Sequence, residues 1–194
     1  VNDPTHGTGG AFTLLTGQQL RGFLYGDTIA LPGGAPANVV LYNVATGSVT
    51  NPFAGSGAPT LTSSVGGTDT VRVTGNNLID GVRITSAGTG VYGTAAANVT
   101  IRNSIISGAD SAIELASGGG NASAALSNLG LTTTGASIPL ALYTAGGGSM
   151  TVTQLSNITI NQGTGSNGAY LIGATFDADL ATAGYQAVDA SMTF

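Results

Sequence analysis

An apolar residue, any residue and a second apolar residue return along this chain at Phe12-Thr13-Leu14, Val39-Val40-Leu41, Val71-Arg72-Val73, Val99-Thr100-Ile101, Leu129-Gly130-Leu131, Ile158-Thr159-Ile160 and Val188-Asp189-Ala190, in steps of 27 to 32 residues. A second triplet follows the first by 11 to 14 residues at Phe23-Leu24-Tyr25, Val82-Arg83-Ile84, Ile113-Glu114-Leu115, Leu140-Ala141-Leu142 and Tyr170-Leu171-Ile172. Three residues cannot bury themselves alone. Stacked in parallel at about 4.8 Å on the copy in the next turn, however, their inward side chains build a continuous core. Asn directly precedes the first triplet at Asn38, Asn98, Asn128 and Asn157, and Asn103 forms a polar corner inside the stretch 98–115. Leu126-Ser127-Asn128 reappears as Leu155-Ser156-Asn157. Asn suits corners because it tolerates the left-handed region and can both donate to and accept from an equivalent Asn one layer away. The reading is all-β: a right-handed parallel β-helix of about six to seven coils, a rod roughly 30 to 35 Å long.

The 194 residues form one domain, 1–194. Segment 51–67, NPFAGSGAPTLTSSVGG, fits the repeat worst and is read as a loop inserted into the second coil. The chain opens on Val1 and stops just after its seventh triplet begins, which suggests a processed product or a fragment of a longer rod. Helix signals are weak, with one short turn of helix conceivable at 175–182 or 186–191.

Charge removes several functions. Four Arg, no Lys and a net charge of −5 lack the basic footprint that nucleic acid requires. Pro and Gly break every apolar run before it reaches 18 residues, so membrane insertion is not expected. With no Cys and a single His (His6), no thiolate or multi-His metal site can be assembled, and no cofactor is expected. Asp177 and Asp179 lack the ligand count of a calcium loop. Gly88-Thr89-Gly90-Val91-Tyr92-Gly93 matches G-x-G-x-x-G but has no helix after it, so no dinucleotide site is read there. Sequons at Asn98, Asn121 and Asn157 are read as chance matches in a Ser/Thr-rich chain. A flat ice-binding row is disfavoured because Arg72, Gly130 and Asp189 interrupt the outward threonines Thr13, Thr100 and Thr159.

The residues that could carry chemistry are Asp80, Asp110, Arg83 and Glu114. Asp80 and Asp110 lie one coil apart near the same turn. As a pair they would supply the acid and base for attack on a glycosidic bond, with Arg83 or Arg102 as the positive partner. In the expected register Arg83 and Glu114 are outward middles of stacked triplets and form an exposed cross-strand ion pair. Asp is also an ordinary turn residue and such a pair an ordinary wall contact, so the non-catalytic reading ranks first.

Over 98–115 and 155–172 the chain resembles the right-handed parallel β-helix, or pectin-lyase-like, repeat. Its Gly, Asn and Thr richness, low charge and lack of Cys are similar to passenger segments of bacterial autotransporters and related surface adhesins. That resemblance implies an exported, extracellular or cell-surface rod presenting loops, with no catalytic residues to carry over and a host surface or a polysaccharide as the expected ligand. Separately, the open sheet edges at the coil ends suggest association with further copies. The alternative is a carbohydrate-active β-helix enzyme, a polysaccharide lyase or hydrolase or a phage-type depolymerase, acting through Asp80, Asp110, Arg83 and Glu114. The Gly-His-Gly signature of polygalacturonases is absent, and no Asp cluster with Arg matches the pectate lyases.

Overall fold

The computed structural model describes residues 5–8, 10–22, 28–30, 38–40, 60–134, 138–161, 169–172 and 174–176, with side chains described over 10–22, 60–134 and 138–161. These residues form a parallel β-solenoid of about four turns, with no helix among them. Two parallel sheets make its walls. The shorter stacks Phe12–Leu14, Val71–Val73, Val91–Thr94, Ile113–Ala116, Leu140–Tyr143 and Ala169–Ile172 in that order. The longer sheet has two arms meeting at a corner. Its first arm stacks Gln19–Arg21, Leu78–Asp80 and the opening of Val99–Gly108. Its second stacks Thr5–Thr8, Thr60–Ser63, Arg83–Ser86 and the end of Val99–Gly108. Asn121–Thr133 and Ser149–Asn161 then run through both arms, and Ala174–Phe176 pairs with the start of the latter.

Alternation places every second residue in the bore. Ile79, Ile101, Leu126 and Leu155 stack in one file, and Ile84, Ile106 and Leu131 in another. Val71, Val91, Ile113 and Leu140 form a third on the shorter sheet. All are buried, and burial of such apolar files at about 25 cal/mol per Å² is what holds successive coils together.

The solenoid matches the sequence reading, and so do some of the stacking partners: Ile113-Glu114-Leu115 lies beside Leu140-Ala141-Leu142, and Leu129-Gly130-Leu131 beside Ile158-Thr159-Ile160, whereas others differ. Val71-Arg72-Val73 lies on Val91-Tyr92-Gly93 in the shorter sheet, whereas Val99-Thr100-Ile101 lies on Leu78-Ile79-Asp80 and Ala124-Ala125-Leu126 in the longer one. The expected period fails because coil length is not constant. Equivalent positions are 20 residues apart from Val71 to Val91, 22 from Val91 to Ile113, 27 to Leu140 and 29 to Ala169. Gly93 also hides the Val91 triplet from an apolar-x-apolar template. A Cβ there would sit 2.6 Å from the Val73 side chain and 2.9 Å from Leu115, so glycine fits where the bore is already full. At the far end the match slips by one residue, with Ala169, not Tyr170, beside Leu140.

Val39 is not a coil residue. Thr28–Ala30 and Asn38–Val40 form an antiparallel ribbon, with Ile29 opposite Val39. Among the described residues the chain stands in the longer sheet at Gln19–Arg21 and again at Thr60–Ser63, on either side of the corner that the next coil turns at Gly81. Of the segment 51–67, residues 51–59 lie outside the described residues, and Thr60–Ser63 is a strand paired with Thr5–Thr8 and Arg83–Ser86. The expected triplets at Phe23 and Val188 and the carboxylates Asp177 and Asp179 also lie outside them, as do nearly all of the two candidate helical stretches.

The Asn corners form two ladders where the sequence suggested one. Asn103, Asn128 and Asn157 have φ of 51°, 51° and 52°, in register with Gly81 at 70°. Asn157 Nδ2 donates to Asn128 Oδ1 at 2.8 Å, Asn128 Nδ2 to Asn103 Oδ1 at 3.1 Å, and Asn103 Nδ2 to Asp80 Oδ1 at 2.8 Å. Asp80 thus supplies the acceptor at the level where the corner is a glycine. Asn98 belongs to the other corner, where its Nδ2 donates to Asn76 Oδ1 at 2.9 Å. The left-handed corner separates two substitutions. Asn128→Gly keeps the backbone and loses only the ladder bonds, so about 1 kcal/mol is expected. Asn128→Val adds the left-handed penalty of a β-branched residue and is expected to cost about 2 to 3 kcal/mol by urea unfolding. Equal losses for the two would refute the corner's conformational role.

Candidate functional site

Asp80, Asp110, Arg83 and Glu114 do not converge. Asp80 ends a first-arm strand and is buried at 7% exposure. Its Oδ2 accepts from Arg102 Nε at 2.9 Å and lies 2.8 Å from Arg102 Nη2, while Oδ1 accepts from Asn103. Both oxygens therefore hold the corner ladder. Asp110 is exposed in the turn after Gly108, and its backbone N–H donates to Gly88 O. Between the row of Asp80 and that of Asp110 lies the whole strand Arg83–Ser86, about 13 Å of extended chain, which exceeds the carboxyl spacing of glycosidases. Arg83 and Glu114 are on different sheets. Arg83 stands in register between Thr60 and Ile105, and Glu114 between Tyr92 and Ala141, so the expected cross-strand pair does not form.

The glycine motif has a packing role. A Cβ on Gly88 would meet the Thr68 backbone at 2.7 Å, one on Gly90 the Ala112 carbonyl oxygen at 2.6 Å, and Gly93 faces the bore. These glycines let the shortest coils close on their neighbours. Among the sequons, Asn98 and Asn157 are members of the corner ladders, and Asn121 is exposed, accepting from Ser149 Oγ at 2.8 Å.

The walls differ in chemistry. On the longer sheet the register aligns Thr62, Thr85, Ser107, Thr132 and Asn161 in one outward file, which the expected rows had missed. The adjoining file is broken by Arg83 and Ile105, so no two-dimensional threonine lattice results.

The outward face of the shorter sheet carries Arg72, Tyr92 and Glu114 in one file, with Thr94 and Tyr143 in the next. Arg72 Nε bonds Asp69 Oδ2 at 2.8 Å, and its guanidinium lies 5.9 Å from the centroid of the Tyr92 ring. Thr94 Oγ1 donates to Tyr92 Oη at 2.9 Å, and Tyr143 Oη donates to Glu114 Oε1 at 2.8 Å. Each polar group holds an aromatic ring or a charge in place, so the face is pre-organised. Tyr92 escaped the sequence reading because its triplet ends in Gly93; a 20-residue coil step from Val71 would have found it.

Among the described residues no helix is long and apolar enough to cross a membrane. Comparison of the chain with protein-family models, with curated proteins and with solved structures finds no match in any of the three.

Proposed function

We propose that this chain is a non-catalytic, exported segment of a β-solenoid, serving at the cell surface or outside the cell as a structural and adhesive rod. The pectin-lyase-like and autotransporter-passenger resemblance belongs to this proposal and not to the fold. The observation that carries it is the engagement of Asp80. The carboxylate best placed to be catalytic is bound by Arg102 and Asn103 and anchors a ladder of corner asparagines, which is scaffold work. Self-association is part of the same reading. Phe12–Leu14 is paired on one edge only among the described residues, and Phe12 and the adjoining Leu15 are 41% and 62% exposed. Unpaired strand edges flanked by apolar side chains are templates for further strands.

Sedimentation and electron microscopy of the purified chain are expected to show end-to-end assembly. Asp110→Ala is expected to leave assembly and attachment to cells unchanged. A polysaccharide-cleaving activity that falls with Asp110→Ala, read as new reducing ends, would replace this reading with the carbohydrate-active enzyme.

A further inference from the structure

Among the residues with described side chains, the aromatic ones are Phe12, Tyr92 and Tyr143, and all three stand on the shorter sheet. Register adds Tyr170 to the file of Arg72, Tyr92, Glu114 and Ala141. The longer sheet's outward files are mainly hydroxyl and amide residues. Two walls of one solenoid, built on the same apolar core, therefore present different chemistry.

We infer that the outer face of the shorter sheet is a binding platform for a neutral polysaccharide of extended, β-linked hexoses crossing the stacked strands obliquely. The inference rests on the non-catalytic adhesive reading and gives it a ligand class and a site. Tyr92 and Tyr143 are two strands apart along the axis, about 10 Å, and one outward file apart across it, about 7 Å, so about 12 Å on an oblique line, near the length of a disaccharide unit in such a chain. Their half-buried rings are fixed by Thr94 and Glu114 and can pack on the apolar faces of successive sugars. A sugar hydroxyl between the rings meets the Glu114 carboxylate as acceptor, and one beyond Tyr92 meets Arg72 as donor, since Asp69 engages Arg72 through Nε and leaves its terminal nitrogens for a ligand. Asp69 and Arg72 cancel, Glu114 adds a negative charge, and the whole chain carries −5, so an acidic polymer is repelled where a neutral one is not.

The test is affinity electrophoresis of the full chain through gels containing a β-glucan, a β-mannan or polygalacturonate. Retardation by at least one neutral polymer and none by polygalacturonate is expected. Tyr92→Leu and Tyr143→Ala should each weaken that retardation about five-fold, the size of one lost stacking contact. Tyr143→Phe, which keeps the ring, should stay within about two-fold of the parent, and Ser107→Ala on the opposite wall should change nothing. Circular dichroism confirms that each variant is folded, and Tyr143→Leu replaces Tyr143→Ala if that protein unfolds. Retardation by polygalacturonate alone, no retardation by either neutral polymer, or retardation indifferent to both tyrosine substitutions would each overturn the platform. Reducing ends appearing in the same gels would instead sink the non-catalytic reading while leaving the platform intact, so the two failures are distinct.

Discussion

Asn77→Ala is expected to lower stability by about 4 kcal/mol, a large share of what a domain of this size usually has. Asn77 is 1% exposed and uses its whole amide. Oδ1 accepts from the backbone N–H groups of Thr74 and Gly75, both at 2.8 Å, and Nδ2 donates to the carbonyls of Leu15 at 2.8 Å and Gln18 at 3.1 Å. Truncation orphans two donors and two acceptors, of which the Gly75 N–H is buried and the other three partly so. The cost is roughly 1 to 3 kcal/mol for a buried group left unsatisfied and less for the others. The melting temperature should fall by roughly 10 °C. Because these bonds tie a turn to the coil before it, the amides of Phe12–Leu14 and Gln19–Arg21 should lose hydrogen-exchange protection first, as nearest-neighbour coupling in a solenoid requires. Asn77→Asp keeps the acceptors, loses both donors and sets a negative charge against two carbonyls, so it should be no milder. Wild-type protection of the first coil in either variant would show that the amide is not its tether.

Gly108→Ala is expected to be at least as damaging, for a steric reason. A Cβ at this position would fall inside the van der Waals shell of the Ser111 carbonyl oxygen, 2.7 Å from the Ser111 carbonyl carbon and 2.8 Å from Gly88 O in the coil below. Every one of these atoms is backbone, so no rotamer change relieves the clash, and the turn into Ile113–Ala116 must open. A loss of about 3 kcal/mol or more, or insoluble protein, is expected. Gly130→Ala, one coil further on, is the matched control. Its Cβ would point outward, with nothing nearer than the Ile105 side chain at 3.7 Å, and a reduced unfolded-state entropy should make the change neutral or stabilising by up to about 1 kcal/mol. Chemical denaturation of the pair, read by far-ultraviolet circular dichroism, separates a glycine required by packing from one that is not.

The candidate site was legible only in pieces. In the sequence Glu114 reads as an ion-pair partner of Arg83, whereas its partner is Tyr143, 29 residues on in the next coil. Asp80 reads as a candidate acid or base, whereas it holds Arg102 and Asn103. In each case the residue type marked a place where charge had to be managed. The partner depended on which strand came to lie alongside, and single residues carry no trace of that.

What the sequence determined by itself is the kind of object. Apolar pairs separated by one residue and returning once per turn, with Asn between them, have one economical burial, a parallel winding whose corners are left-handed. The Asn residues at φ near +50° are the local consequence. Only the tertiary structure decided which pairs stack. Register between coils is set by the lengths of turns and by bonds between residues 22 to 29 positions apart, and those lengths grow from 20 to 29 residues along the chain. A one-coil change in partner costs the apolar pattern almost nothing along the files of Ile79, Ile84 and Val71, which are apolar throughout. It is the turns, through close backbone contacts such as those of Gly88, Gly90 and Gly108, that select one stacking from the others.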